Sequence, residues 1–235
     1  MRQHSEYRSF LTVVDSLRIH KHLPLRPVKQ ISTFFLTCFL LFHGTIGWSA
    51  EEPLLEACST QCVTAYGELL GRSPGDVPAY SNCSSQCVSQ DPNQINDTYM
   101  GMEWQCVEYA RRWLFRTEGL VFESVDVAAD IWNGISYLVD TSSNDKRKLR
   151  NLPNGSDESP RRGDLLIWSS EYLGTGHIAV VARVDHEKGY VEVLEQNFLN
   201  QKWPGKYARR IPMQQRQGGV WLDDELIIGW KRLVD

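Results

Sequence analysis

Cys106 is the residue with the clearest potential for nucleophilic chemistry in this sequence. From Cys106 onward, apolar residues recur at the spacing of an amphipathic helix: Val107, Ala110, Trp113 and Leu114. A helix N-terminus stabilises a thiolate, because its unpaired backbone N–H groups and the helix dipole both favour negative charge. The same N–H groups can hold the oxyanion of an acyl-transfer intermediate. A single cysteine is more often a buried structural residue or a disulfide partner, so the other residues must decide.

A nucleophilic cysteine requires a base, and His177 is the best-placed histidine of the chain. It follows the Thr175-Gly176 turn and opens a predicted strand, so its ring is accessible to a thiol on a helix that packs nearby. The histidines of the N-terminal region lie in or before an apolar segment, and His186 lies in a polar turn. An ordinary surface or capped histidine is the alternative for His177.

A third group must orient the imidazole of a cysteine–histidine pair. Glu195 and Asn197 lie near the end of the next predicted strand and share one of its faces, since strand side chains alternate with period two. An antiparallel hairpin brings both of them close to His177. The sequence therefore predicts a Cys106–His177–Glu195 triad, with Asn197 as its support or substitute. A solvated strand-end carboxylate is the alternative for Glu195.

The order of the predicted elements indicates an α+β fold, in which N-terminal helices pack on an antiparallel sheet. The helix at Cys106 comes first, and Glu108 and Arg112 support each other on its polar side. Residues 121–139 have a mixed helical pattern, and residues 140–159 are predicted to form a polar loop. Strands are then predicted near residues 165–168, 177–184, 190–197, 201–211 and 227–230.

The first 50 residues have the pattern of an export segment. A basic stretch precedes residues 30–50, which carry no charge, and Phe34 to Phe42 is apolar except for Thr37. This is the length of the apolar region in a signal peptide, and the uncharged length also suffices for a signal anchor across a bilayer. Both alternatives send the residues after about position 50 into the secretory pathway. A buried core helix is the alternative without export.

Four cysteines form two C-x-x-x-C pairs, Cys58 with Cys62 and Cys83 with Cys87. A spacing of four places both thiols of a pair on one helix face, so a helical hairpin stapled by Cys58–Cys87 and Cys62–Cys83 is the simplest arrangement. Four cysteines allow three pairings, and a four-thiolate zinc site is the rival interpretation. An oxidising compartment favours disulfides over a zinc site. Cys38 lies in the apolar run and leaves with it if the run is cleaved. Cys106 is then the odd thiol in either arrangement, which indicates a reactive nucleophile.

The composition gives no indication of nucleic acid as a partner. The chain has 235 residues, a formal net charge of −4 and a pI near 5.9, without a global basic patch. Its eight Trp and nine Tyr suit an aromatic-lined groove and equally an ordinary core. Asn96-Asp97-Thr98, Asn154-Gly155-Ser156 and, formally, Asn82-Cys83-Ser84 are glycosylation sequons, which fit export but are common by chance.

Five sequence blocks, in order along the chain, resemble those of a CHAP domain. They are Glu103 to Trp113, Gly163 to Trp168, Thr175 to Val181, Glu195 to Asn197 and Ile227 to Trp230. The blocks also resemble those of the amidase module of glutathionylspermidine and trypanothione synthetases and of the D-alanyl-glycyl endopeptidase-like proteins that share this module. The resemblance implies a papain-like fold, related to NlpC/P60 cell-wall hydrolases. We expect three parts: residues 1–50 for export, a Cys-rich helical hairpin over 51–95, and the catalytic domain over 96–235.

The resemblance also implies roles for individual residues. Cys106 matches the nucleophile, His177 the general base and then acid, and Glu195 the orienting carboxylate. Arg111, one helical turn beyond Cys106, matches a position that faces substrate, although a plain surface charge is its alternative. Gln105, like Asn197, is assigned a supporting or substrate-binding role. Neither a cofactor nor a metal is expected, because His177 and Glu195 lack enough further ligands for a catalytic zinc.

Some features separate this sequence from the synthetases that it resembles. It begins with an export-like segment, it adds the four-cysteine region, and no synthetase domain is expected beyond Asp235. We therefore expect a monomeric, secreted or surface-attached cysteine peptidase that cleaves amide bonds in bacterial peptidoglycan peptides. A glutathionylspermidine-type or trypanothione-type amidase is one alternative, and a catalytically inactive wall-binding module is another.

Overall fold

The computed structural model of this protein describes residues 56–234. These residues belong to one structural unit, Ala50–Asp235. The predicted signal peptide or anchor over residues 1–50, with its membrane-spanning stretch over 30–50, lies outside the described residues. Within residues 56–234, no helix combines the length and the apolar character that crossing a membrane requires.

Strands make up most of the described fold. The helices are α1 (Cys106–Glu118) and α2 (Ile131–Gly134), and 3₁₀ turns lie at Glu56–Cys58 and Ala128–Asp130. The strands, in chain order, are β1 (Leu69–Arg72), β2 (Pro78–Tyr80), β3 (Pro92–Ile95), β4 (Thr98–Met102), β5 (Leu120–Val121), β6 (Tyr137–Asp140), β7 (Lys146–Pro153), β8 (Leu165–Trp168), β9 (Ile178–Asp185), β10 (Tyr190–Leu194), β11 (Arg209–Arg216), β12 (Gly219–Leu222) and β13 (Ile227–Leu233). The main helix α1 precedes the strands β5 to β13, which pair in one sheet, and this arrangement confirms the α+β class.

Within residues 56–234, nine strands form an antiparallel sheet in the order β12-β11-β10-β9-β8-β13-β7-β6-β5. Its central strands are buried on both faces. Leu165 and Ile167 of β8 join one apolar cluster, whereas Leu166 and Trp168 join a second cluster on the opposite face. This division follows from the period of two in a strand. The continuous apolar runs in the sequence therefore mark strands that are covered on both sides.

Helix α1 covers one face of the central sheet. Its buried side chains Tyr109, Ala110, Trp113 and Leu114 lie in the same apolar cluster as β8 and β9. Burying a large apolar side chain stabilises the fold by about 1.5–3 kcal/mol, so this contact fixes α1 on the sheet. The helix ends at Glu118, and the capping residue Gly119 has a left-handed φ of 67° and donates its N–H to the carbonyl of Leu114.

The four-cysteine region is not the helical hairpin that the sequence predicted. After the 3₁₀ turn at Glu56–Cys58 it forms the β1–β2 hairpin and β3, and the turn between β3 and β4 contains the predicted domain boundary at 95/96. The bridges are Cys58–Cys87 and Cys62–Cys83, as in the simplest predicted pairing, so these thiols do not form a zinc site. The helical interpretation was wrong because Gln61 and Cys83 have φ values of 56° and 64°, which a right-handed helix excludes.

Two predictions between α1 and β8 were also wrong. The segment with the mixed helical pattern contains the short helix α2, but it ends in the strand β6, which continues one residue beyond it to Asp140. The predicted polar loop contains β7, in which Leu149 and Leu152 are buried and the other residues are exposed. The charged side chains of β7 face solvent, and its backbone pairs with β6 and β13. The polar sequence therefore predicted a loop although the backbone hydrogen bonds form a strand.

Candidate active site

Cys106 is the first residue of α1, as the sequence predicted. Gln105 before it has an extended backbone, with φ −78° and ψ 160°, and its side chain makes no capping hydrogen bond. An uncapped helix start leaves backbone N–H groups available to an anion. The Cys106 thiol is partly buried and, among the described cysteines, is the one outside a bridge.

His177 directly precedes β9, and it is 1% exposed. Its Nε2 lies 2.9 Å from Oε2 of Glu195, and the Cys106 side chain is close enough to the ring to raise the pKa of His177. Because Nε2 is engaged by Glu195, Nδ1 is the ring nitrogen that remains for a thiol. The structure thus brings the three residues of the predicted triad together, across a helix start, a strand start and a strand end.

The surroundings of His177 raise its pKa to about 9. Burial by itself lowers this pKa, but the negative charge and hydrogen bond of Cys106, together with Glu195, outweigh the effect of burial. The imidazole therefore keeps its proton at neutral pH. An imidazolium next to a cysteine stabilises the thiolate form, which is the nucleophilic one.

Glu195 is buried and is held by Arg209 as well as by His177. Arg209 donates from Nε to Oε1 over 2.6 Å, and its second contact with the carboxylate is 3.4 Å long. Burial opposes ionisation, but the His177 hydrogen bond and the Arg209 charge hold the pKa of Glu195 below its ordinary value. Sequence reasoning missed Arg209. Its place depends on the register of β10 against β11, where Val193 pairs with Arg209, and the sequence does not give that register.

Three aromatic rings enclose His177. The ring centres of Trp168, Tyr172 and Phe198 lie 5.1, 5.7 and 5.2 Å from the imidazole centre. Phe198 also stacks on Tyr172, and the Arg209 guanidinium lies 3.9 Å from its ring centre. This enclosure keeps water from the His177–Glu195 hydrogen bond, which is stronger in a medium of low dielectric. Sequence analysis gave none of these rings a role, although Phe198 directly follows the Glu195 to Asn197 block.

Asn197 and Gln105 contact each other, and Glu195 is the residue that holds the imidazole. Asn197 donates from Nδ2 to Oε1 of Gln105 over 2.8 Å. Gln105 in turn donates from Nε2 to the carbonyl of Cys87 over 3.0 Å. Asn197 is therefore not a substitute for Glu195. Both amides adjoin the triad, and their supporting or substrate-binding roles stay predictions.

Arg111 is buried, which rules out the plain surface charge. It donates from Nη2 to the carbonyl of Tyr99 over 2.6 Å, and its guanidinium lies 5.4 Å from the ring centre of Phe122. Its Nε and Nη1 have no hydrogen-bond partner within residues 56–234. Burial lowers the pKa of Arg111 to about 10. Tyr99 lines the cleft at Cys106, so Arg111 lies behind a cleft residue, and its contact with substrate stays a prediction.

The polar side of α1 is also buried, although the sequence gave no sign of a layer that covers it. Arg112 holds the Glu108 carboxylate from Nε over 2.5 Å and from Nη2 over 3.1 Å. Gln196 donates to the same carboxylate over 2.9 Å, and Arg112 donates to the carbonyl of Pro78. This ion pair joins α1 to β2 and to the segment that follows β10.

A cleft of about 270 Å³ opens at Cys106. Val88, Met102 and Val125 give it mainly apolar walls, and Asp126 contributes an exposed carboxylate. Within residues 56–234, no three His, Cys, Asp or Glu side chains cluster closely enough to hold a metal ion. A thiol at a helix start, a buried imidazolium and an adjoining cleft are together suited to nucleophilic acyl transfer.

The sequence model of the CHAP domain matches residues 97–197. That range includes Cys106, His177 and Glu195 and ends at Asn197. The chain contains a CHAP domain. The resemblance read from the sequence blocks is therefore shown, and CHAP membership supports an amidase or peptidase activity. Arg209 lies beyond the matched range.

Three curated relatives are similar to most of this CHAP chain. The bifunctional glutathionylspermidine synthetase/amidase of Escherichia coli (strain K12) is 36% identical over 183 residues, which cover 70% of this chain and 29% of that protein. The trypanothione synthetase of Crithidia fasciculata is 31% identical over 174 residues, with 70% of this chain and 26% of that protein covered. The glutathionylspermidine synthase of Crithidia fasciculata is 28% identical over 188 residues, with the same coverage of 70% and 26%. The chain thus spans less than a third of the length of these relatives.

Proposed function

We propose that this chain is a cysteine hydrolase that cleaves amide bonds with a Cys106–His177–Glu195 triad. The observation that carries the proposal is the buried imidazole of His177, which hydrogen-bonds Glu195 through Nε2 and lies close enough to Cys106 for the thiol to raise its pKa. A structural cysteine requires neither a buried imidazolium partner nor an uncapped helix start. A nucleophilic cysteine benefits from both.

The first half of the reaction forms a thioester. With its proton held on His177, Cys106 attacks the amide carbonyl carbon as a thiolate, so that a C–S bond forms and the carbonyl electron pair moves to oxygen. Backbone N–H groups at the start of α1, including that of Cys106, stabilise the oxyanion. The oxyanion collapses, the C–N bond breaks, and the leaving amine takes the proton from His177.

The second half of the reaction releases the acid. His177, now neutral, removes a proton from a water molecule, and the oxygen attacks the thioester carbonyl. The C–S bond then breaks, and the thiolate is again paired with an imidazolium. Glu195 holds one tautomer and one ring orientation of His177 throughout, and Arg209 keeps Glu195 ionised.

Peptides of bacterial peptidoglycan are the substrate that we propose. The Cys58–Cys87 and Cys62–Cys83 bridges suit a protein that works in an oxidising compartment. The export-like pattern of residues 1–50 likewise favours a protein that acts at the cell surface or outside the cell. The mainly apolar cleft, with the exposed carboxylate of Asp126 in its wall, fits a short peptide that carries an amino group.

A polyamine-conjugate amide is the second candidate substrate. It is favoured by the relative from Escherichia coli, which is named as a glutathionylspermidine amidase as well as a synthetase. The exposed carboxylate of Asp126 could pair with a cationic polyamine chain. This candidate requires a reducing compartment, where the four bridged cysteines would be thiols.

Turnover of both substrates by the oxidised protein, side by side, tests the proposal. Purified peptidoglycan is expected to yield new amino ends, and Cys106→Ala is expected to abolish them while the thermal unfolding transition is retained. Release of spermidine without new peptidoglycan ends would replace the first substrate by the second. If neither product forms and Cys106 of the folded protein resists alkylation, the hydrolase proposal is wrong and a wall-binding module remains.

A further inference from the structure

Asn82 is a fully buried polar residue in the four-cysteine segment, and every polar atom of its side chain has a partner. It is 0% exposed and lies next to the bridged Cys83. Its Nδ2 donates to the carbonyls of Ser84 over 3.0 Å and of Cys87 over 2.7 Å. A carbonyl can accept and cannot donate, so these two bonds fix which end of the amide faces them.

The other end of the Asn82 amide holds the backbone that leads into the nucleophile. Oδ1 accepts the backbone N–H of Trp104 over 3.1 Å and Nε2 of Gln105 over 3.3 Å. Gln105 is the residue before Cys106, and its Nε2 also donates to the carbonyl of Cys87. Asn82 and Gln105 therefore both donate to the carbonyl of Cys87, and Cys87 is bridged to Cys58.

Asn82 also contacts the opposite side of the candidate active site. Its backbone N–H donates to Oδ1 of the buried Asn200 over 2.8 Å, in the loop that follows the triad carboxylate Glu195. Gln105 is tied to that loop as well, through Asn197. One buried residue thus links a disulfide, the approach to Cys106 and the loop after Glu195.

We propose that Asn82 is a positioning residue, which transmits the constraint of the Cys58–Cys87 bridge to the backbone that presents Cys106. This inference rests on the proposed hydrolase function. Asn82 does not line the cleft at Cys106, so it acts on the placement of the thiol and leaves substrate binding unchanged. A displacement of about 1 Å in a reacting group can lower a rate about 100-fold, so a weak local change is enough to matter.

The direct test replaces Asn82 in the full-length oxidised protein. We expect Asn82→Ala to lower kcat roughly 10- to 100-fold and to leave KM within about twofold, because the thiol is misplaced and the cleft is intact. Asn82→Asp is the second variant, since it keeps an acceptor for Trp104 and loses the donors to Ser84 and Cys87. Asn133→Ala is the matched control, because Asn133 is exposed in α2. Wild-type kcat in both Asn82 variants would overturn the proposal.

A double-mutant cycle separates positioning from a general loss of stability. The Cys58→Ala/Cys87→Ala variant removes the bridge and keeps the carbonyl of residue 87. If Asn82 transmits the bridge, adding Asn82→Ala to this variant lowers kcat little further than the larger single effect. Effects on kcat that multiply, as for independent sites, would contradict the proposal. Asn133→Ala in the same background is expected to change nothing.

Alkylation of Cys106 by iodoacetamide at pH 7, followed by peptide mass spectrometry, provides a readout that needs no substrate. We expect the Asn82 variants to react at least about fivefold more slowly than wild type while their disulfides and thermal unfolding are retained. If wild type turns over neither substrate, the proposed function fails, and the alkylation rates still decide whether Asn82 positions Cys106. Equal alkylation rates in wild type and both variants would overturn the positioning role.

Discussion

Two buried carboxylate–arginine pairs lie near Cys106, and they differ in their third member. In the first, Glu108 and Arg112 of α1 are joined by the amide of Gln196. In the second, Glu195 and Arg209 are joined by the imidazole of His177. Both pairs use an arginine to balance a carboxylate that is taken out of water, which is what makes such burial tolerable.

The third member decides what each pair can do. The amide of Gln196 donates a hydrogen bond but does not exchange a proton with its neighbours, so the Glu108 pair is a fixed link between α1 and the segment after β10. The imidazole of His177 titrates and contacts a thiol, so a proton can move at the Glu195 pair. A buried ion pair is therefore not a functional site by itself. It becomes one when a titratable group connects it to a nucleophile.

Glu195→Gln should have the largest effect on turnover. An amide preserves the size of the side chain but no longer enforces the imidazole tautomer, and it leaves Arg209 without its carboxylate. We expect kcat to fall about 10⁴-fold, as for the loss of the orienting carboxylate in a serine triad. Release of the amine product measures it, and Glu187→Gln, at an exposed carboxylate between β9 and β10, is the matched control. A loss below tenfold would remove the distinction between the two pairs.

Glu108→Ala should instead destabilise the fold. It leaves the buried Arg112 guanidinium without its counter-charge, which costs about 3–5 kcal/mol in the free energy of unfolding. Denaturant titration measures this loss, and Cys106 alkylation in the remaining folded protein reports any effect on the site. Glu108→Leu combined with Arg112→Met should recover most of the stability, because an apolar pair of similar volume replaces both charges. Full activity loss in a folded Glu108→Ala protein would contradict a purely structural pair.

Arg209→Gln should have a smaller effect that depends on pH. Arg209 and His177 together hold the pKa of Glu195 low, so its ionisation is lost as the pH falls through that depressed value. Without Arg209 the acid limb of the activity profile should move up by about one pH unit or more, since a neighbouring cation lowers a carboxyl pKa by about 1–3. Arg210→Gln is the control, because Arg210 pairs with Glu192. If the acid limbs of Arg209→Gln and Arg210→Gln coincide, the pKa of Glu195 does not depend on Arg209.

The alkaline limb should show the smallest of these effects, a decline of about tenfold per pH unit above about 9. Above that value His177 loses the proton that the leaving amine needs, whereas thiol alkylation does not fall. The same raised pKa adds folding stability that is fully present below about 6.5 and is lost as the pH rises through about 9. His186→Gln, at an exposed histidine, should leave both profiles unchanged. An amidase rate that stays level to pH 10.5 would exclude His177 as the proton donor.

Periodicity in the sequence was sufficient to predict the helix and strands that meet at the site, and it was insufficient to predict β7 and the four-cysteine region. The apolar runs of β8 and β9 and the amphipathic start of α1 identified the strands and the helix that meet at the site. β7 was missed because its exposed charged residues outnumber Leu149 and Leu152, and its strand depends on partners distant in the chain. The spacing of four between paired cysteines predicted helices, because it places two side chains on one helix face. The prediction was wrong because irregular chain with bends can have the same spacing.

The sequence by itself determined that Cys106 begins a helix and that His177 and Glu195 share a hairpin, because helix periodicity and hairpin pairing are local. The order of the sequence blocks also predicted a CHAP domain, and the match of the CHAP sequence model to residues 97–197 shows it. Tertiary structure decided that Arg209 and Phe198 complete the surroundings of His177, that the polar side of α1 is buried, and that Asn82 touches the approach to Cys106. These contacts join segments far apart in the chain, and their existence depends on register and on layers that pack on α1, which no local pattern contains.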